Sequence, residues 1–202
     1  MMRSQKKQKK ELAEATRRSL RLVAEGRNEE AYDFLEQAVQ RFPEDPAIRL
    51  QYATTLLAIR PNEAVSEVIK AIDLDPNEPM RLTGAAGILF KMGDVETARL
   101  YATRAKELAP PDFSFMPYLI NLDAHFAALE GKDDQAEEGF RDAVEQEPDG
   151  EIFAVDLAQF LAKRGRQPEA LEIIDTTLPL TKRKEPLERL RSELLGQSDA
   201  QT

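Results

Sequence analysis

His125 is the one imidazole in a chain of 202 residues, and no cysteine accompanies it. Zinc and acid–base centres draw on convergent sets of histidine, cysteine and carboxylate, and a lone histidine supplies neither. Carboxylates do occur in adjacent pairs, Asp133–Asp134 and Glu137–Glu138. Those pairs open a helical stretch, where the dipole favours negative charge whatever the function. The patterns HExxH, GxSxG and CxxC are absent. Gly84 and Gly87, in the stretch GAAG, lie inside a helical pattern rather than after a strand, so they do not form a phosphate-cradling loop. These residues predict no catalytic centre, no metal site and no cofactor, and the chain is read as not an enzyme. His125 is expected to pack or to line a groove beside Tyr118 and Leu122.

Composition narrows the partners. The chain carries 28 basic and 37 acidic side chains, a formal net charge of −9, and an acidic chain repels phosphate backbones. Nucleic acid is not expected. No apolar run approaches the ~18 residues that span a bilayer, so no membrane insertion is expected. The basic start MMRSQKKQKK is followed by ELAEATRRSLR, where a signal peptide would place an apolar stretch. A soluble, cytoplasmic protein is the expectation.

The elements that must position any site repeat. Segments beginning at Ala31, Ala64, Ala98 and Ala136 each carry a large or apolar residue four positions on (Leu35, Val68, Ala102, Phe140). An alanine follows three further (Ala38, Ala71, Ala105, Ala143), then a proline five later (Pro43, Pro76, Pro110, Pro148). A fifth segment from Ala170 keeps Ile174 and Thr177 in register and loses the proline. The leading alanines stand 33, 34, 38 and 34 residues apart. Offsets of four and seven put these side chains on one helix face, and proline stops the helix. Glycine precedes the leading alanine by five residues at Gly26, Gly93, Gly131 and Gly165, where a helix end needs a left-handed residue. Another apolar-periodic stretch lies upstream of each glycine, so every unit reads as a helical hairpin.

This pattern resembles the tetratricopeptide repeat, a helix–turn–helix of about 34 residues ending in proline, over residues 12–180. The resemblance implies an all-α fold: a right-handed α-solenoid of antiparallel helical hairpins. The expected domains are a basic flexible tail (1–10), five repeats (11–180), and a capping helix with C-terminal tail (181–202). Leu187, Leu190, Leu194 and Leu195 form one stripe of that last helix and should cover the final hairpin. Repeat two lacks the turn glycine and reads IRPNEA, and PDFSFMP adds four residues before repeat four. The register otherwise runs from Ala31 to Thr177 with no polar linker, so one continuous array is expected, weakest at PDFSFMP.

In this family the first helix of each hairpin lines a concave groove. The resemblance assigns to that face Leu50, Gln51 and Thr54 from repeat two, and Met80, Thr83, Gly84 and Gly87 from repeat three. Tyr118, Asn121, Leu122 and His125 follow from repeat four, and Ile152, Val155, Asp156 and Gln159 from repeat five. Such a groove is largely apolar, lacks the cationic cluster of a carboxylate clamp, and should bind with weak salt dependence. Each interior glycine costs about 1 kcal/mol against alanine, so Gly84 and Gly87 serve either a ligand's approach or close packing of helices. The implied function is a non-enzymatic interaction module or adaptor holding a protein, peptide or helix in the groove. The alternative is a self-associating structural protein, a homo-oligomer joined through its apolar faces.

Overall fold

A computed structural model describes residues 2–199. These residues form eleven helices and no strand, in two compact units, Met1–Pro111 and Asp112–Thr202. The division falls at the start of PDFSFMP, and each unit is described by itself.

The first unit holds α1 (Met2–Ala24), α2 (Asn28–Arg41), α3 (Pro46–Ile59), α4 (Pro61–Leu74), α5 (Pro79–Lys91) and α6 (Val95–Leu108). Helix starts are written locally. Asp45 accepts the Ile48 N–H at 2.9 Å ahead of Pro46, and Glu78 accepts the Arg81 N–H at 2.8 Å ahead of Pro79. Proline in the first turn loses no helical bond, because that N–H has no partner there. Hairpin turns fall where the sequence places them. Gly26, Gly93, Gly131 and Gly165 adopt φ of 71°, 82°, 72° and 76°, a region side chains disfavour. Repeat two turns without glycine, Arg60 joining α3 to α4 at φ −139° with Pro61 next.

The repeated register is the core of each hairpin. Ala31, Leu35 and Ala38 are buried, as are Ala64, Val68 and Ala71, and Ala98, Ala102 and Ala105. Tyr32 of α2 meets Tyr52 of α3 with ring centroids 5.6 Å apart. Glu67 is buried between Arg49 at 2.8 Å and Lys70 at 2.6 Å. Helix α1 begins at Met2, so the stretch 2–10, expected as a flexible tail, has helical backbone here. Lysine and glutamine are good helix formers, and a polar helix leaves no apolar period to read. Among the described side chains of α1, Ala15, Ser19 and Leu22 are buried.

The second unit holds α7 (Met116–Leu129), α8 (Asp133–Gln146), α9 (Glu151–Lys163), α10 (Gln167–Thr177) and α11 (Glu185–Asp199). Ala136, Phe140, Ala143, Ala170 and Ile174 are its buried register positions. Helix α11 lies on α9 and α10. Its Leu187, Leu190 and Leu194 join one core with Phe160, Ala170 and Ile174, and Ile173 and Leu178 pack against it half-buried. Leu195 of the same stripe stays 42% exposed. Arg191 anchors α11 on Asp175 at 2.7 Å, and the Gln167 amide donates to the Leu194 carbonyl. The fold is an all-α solenoid type built of helical hairpins, closed at this end by the capping helix.

Two glycines test how tightly the hairpins pack. A Cβ on Gly139 of α8 would lie 3.0 Å from the Ala124 Cβ and 3.6 Å from the Ile120 carbonyl oxygen of α7. An alanine methyl and a backbone oxygen have no rotamer to yield. At Gly84 of α5 the neighbour is instead the Leu50 Cδ2 of α3, at 3.0 Å, the free end of a half-buried side chain. Gly139→Ala should lower stability by about 1 kcal/mol, overpacking outweighing the helix propensity gained. Gly84→Ala should raise it by up to about 1 kcal/mol, because Leu50 can swing aside. Thermal melts of the two variants should move in opposite directions, and a shared direction would refute this account of the seams.

Candidate functional site

Of the groove residues expected in the first unit, Met80 is 50% exposed and Thr54 is exposed, while Leu50, Gln51 and Gly84 are half-buried. Thr83 and Gly87 are buried. Helix α5 packs against α3, α4 and α6, so more of its circumference is covered than a one-faced helical wheel supposes. The Thr54 hydroxyl donates to the Leu50 carbonyl at 2.9 Å and the Thr83 hydroxyl to the Pro79 carbonyl at 2.8 Å, so both donors are used within their own helices.

The second unit brings its expected residues together. Asp156 of α9 accepts the Asn121 Nδ2–H at 2.7 Å and faces the His125 Nε2 at 3.0 Å, both bonds on its Oδ2. A carboxylate only accepts, so the imidazole proton sits on Nε2. The other end of the Asn121 amide, Oδ1, is buried and has no hydrogen-bond partner among the described residues. Phe140 stands edge-on to the His125 ring at 4.9 Å and packs on Phe160 at 5.2 Å. Burial pushes the Tyr118 phenol above its ordinary range, and the Asp156 charge pushes it further. Leu122 is buried, Val155 half-buried, Gln159 exposed, and Ile152 37% exposed. His125 is thus a packed, hydrogen-bonded side chain on the α7 face, held by Asp156 and Phe140.

Beside this cluster, at the first turns of α7 and α9, lies an open cavity of about 450 Å³. Phe115, Tyr118, Ile152 and Phe153 line it together with the acidic residues Glu147 and Glu151. The extra residues before repeat four build one wall: Phe115, 43% exposed, is the N-cap of α7 and packs on Phe113 with centroids 5.8 Å apart. Gly150 lets the turn after α8 close, since a Cβ there would meet Phe153 Cδ2 at 2.6 Å. Sequence reasoning missed Phe115, Glu147, Glu151 and Phe153 as site residues. The signal available was the break in period at PDFSFMP.

The adjacent carboxylates have structural partners. Arg164 Nε donates to Asp133 at 2.9 Å, and Glu137 is held by Arg166 and by Arg141 at 2.8 Å. These hydrogen bonds hold the Asp133 and Glu137 carboxyls below their ordinary range. Among the described residues no group of histidine, cysteine and carboxylates is arranged to hold a metal ion, and no helix is long and apolar enough to cross a membrane.

Comparison with known proteins agrees with the fold. Two models described as tetratricopeptide repeat match residues 22–60 and 130–182. No curated protein matches the chain in sequence. A thermophilic tetratricopeptide protein from Thermus thermophilus superposes with a TM-score of 0.74 at 24% identity, over 91% of this chain and 98% of that one. A tetratricopeptide protein from Parabacteroides merdae gives 0.71 at 15% identity, over 92% and 72%. The Cut9–Hcn1 hetero-tetramer of the APC/C gives 0.68 at 14% identity, over 89% of this chain and 35% of that one.

Proposed function

The chain is a tetratricopeptide-repeat protein, and from that premise we propose that it is a non-enzymatic adaptor whose second unit holds a segment of a partner protein. Tetratricopeptide proteins generally mediate protein–protein interaction, on a scaffold type that is not enzymatic. The observation that carries the proposal is the open cavity whose lining residues Phe115 and Ile152 are exposed at 43% and 37%. Apolar side chains left to water beside a preformed concavity favour an occupant. The face of α7 and α9 that leads away from it, through Tyr118, His125, Asp156 and Gln159, extends the contact. Its place of action is the cytoplasm, as read from the sequence.

The test replaces Phe115 by a photo-crosslinking phenylalanine analogue in the intact chain, with the same analogue at Leu100 of the first unit as control; Leu100 is 64% exposed. An adduct of one discrete partner should form from position 115 and not from 100. Ile152→Ser should remove it. An adduct of twice the chain's own mass would instead make the occupant a second copy, the homo-oligomer reading. Equal labelling from both positions would defeat the proposal.

A further inference from the structure

We infer that the cavity at the first turns of α7 and α9 takes a cationic side chain with an apolar neighbour, as presented by a basic, apolar peptide segment. This rests on the interaction reading above and adds the partner's chemistry.

The apolar half of the recognition is Phe115 and Ile152, exposed at 43% and 37% over the cavity. Its volume of about 450 Å³ admits one large side chain and part of the next. The polar half is acidic. Glu147 and Glu151 line the cavity, Asp149 lies in the turn between them, and Asp156 follows one turn along α9.

Three terms oppose this sign, the two helix starts and Arg183 at the rim. The cavity faces the N-termini of α7 and α9, whose N-caps Phe115 and Gly150 give no side-chain cap, and each helix start carries roughly half a positive charge. The end of α8, at Glu147, carries a similar fraction of the opposite sign. Arg183, paired with Glu151, adds one whole positive charge at the rim, and the carboxylates of Glu147, Asp149 and Glu151 together still exceed it and the two helix starts. The field of the surrounding unit has the same sign. Residues 112–202 carry twenty acidic and ten basic side chains, a formal net charge of −10, whereas residues 1–111 carry seventeen and eighteen. A cleft of one sign in a chain region of the same sign concentrates the counter-charge.

A cation already stands at this rim. Arg183, from the segment between α10 and α11, lies 2.9 Å from Glu151 although its side chain is 77% exposed. The pair shows that the Glu151 carboxylate is within reach of a guanidinium, and at this exposure it contributes little, so a ligand can displace it. Glu147 has no cation partner among the described residues. Arg183 therefore acts as an internal competitor: a ligand's cation pairs with Glu147 first and gains Glu151 when Arg183 yields it. Binding here should weaken as salt rises, unlike the salt-insensitive apolar groove expected from the first-helix faces.

The experiment is isothermal titration calorimetry of the full chain with three capped hexapeptides. One alternates arginine and phenylalanine, one replaces arginine by the neutral isostere citrulline, and one replaces it by glutamate. The arginine peptide should bind, the citrulline peptide more weakly, and the glutamate peptide not measurably. Glu147→Gln should weaken the arginine peptide about two- to five-fold, and Phe115→Ala about ten-fold. Arg183→Ala should tighten it, an effect that a purely structural role for Arg183 does not produce. All three positions are exposed, and melts of each variant confirm folding. Equal binding of the citrulline or glutamate peptide, lost with Phe115→Ala, would overturn the cationic inference and leave the interaction reading standing. Arginine-peptide binding indifferent to Phe115 and Glu147 would mean general attraction to the acidic unit, and would overturn the inference. Absence of any binding would overturn the cationic inference, while the crosslinking from position 115 decides the interaction reading by itself.

Discussion

A chain ending at Thr181 is expected to aggregate, or to melt far below the full-length protein. That truncation removes α11, whose Leu187, Leu190 and Leu194 are at most 7% exposed. Burying one leucine contributes about 1.5–3 kcal/mol, so three together contribute roughly 5–9 kcal/mol. The conformational entropy of ordering the helix offsets part of that, but a domain's whole stability is only about 5–15 kcal/mol. The loss also uncovers Phe160 and Ile174, which share the leucines' core, leaving a terminal hairpin with an apolar face in water. Leu195→Ala provides the contrast: at 42% exposed it should change the melting temperature little. A truncated chain that stays in solution and melts within a few degrees of the parent would remove α11 from its capping role.

What was legible in the sequence was what recurs. The four turn glycines take positive φ, and the alanine register is buried in every hairpin, because each copy of the repeat imposes the same steric demand at the same offset. The α7 and α9 face was legible as a set of residues, since a helix wheel gives direction. Its chemistry was not: Asp156 meets Asn121 and His125 across 35 and 31 residues of chain, a register that only the packing of two hairpins fixes. Thr83, Gly87, Asn121 and Leu122 went the other way, assigned to an open face but buried, because a wheel does not count how many neighbours an internal helix has. The cavity was least visible. Phe115 belongs to the irregular stretch before α7 and has no counterpart in the other repeats. Glu147 and Gly150 belong to a turn, where periodicity carries no information.

Phe140→Ala is the point substitution with the largest expected effect, a loss of about 3–5 kcal/mol. The position belongs to the repeated register, where the other hairpins carry Leu35, Val68, Ala102 and Ile174, so alanine is compatible with the backbone there. What differs is the surroundings. Phe140, 1% exposed, fills the space between His125 of α7 and Phe160 of α9, with ring centroids at 4.9 and 5.2 Å. Removing the ring leaves a cavity that two flanking aromatic groups on separate helices cannot close together. Phe140→Leu should recover most of the loss, because it restores volume without the edge contact to the imidazole. The two variants also separate fold from site. His125 keeps its hydrogen bond to Asp156 only while α7 and α9 hold their spacing, so its ring resonances in a proton–nitrogen spectrum should broaden in Phe140→Ala and stay sharp in Phe140→Leu. A melt of Phe140→Ala within about 1 kcal/mol of the parent would mean that α8 packs as loosely here as a small residue allows. In that case neither the core nor the placement of His125 depends on this ring.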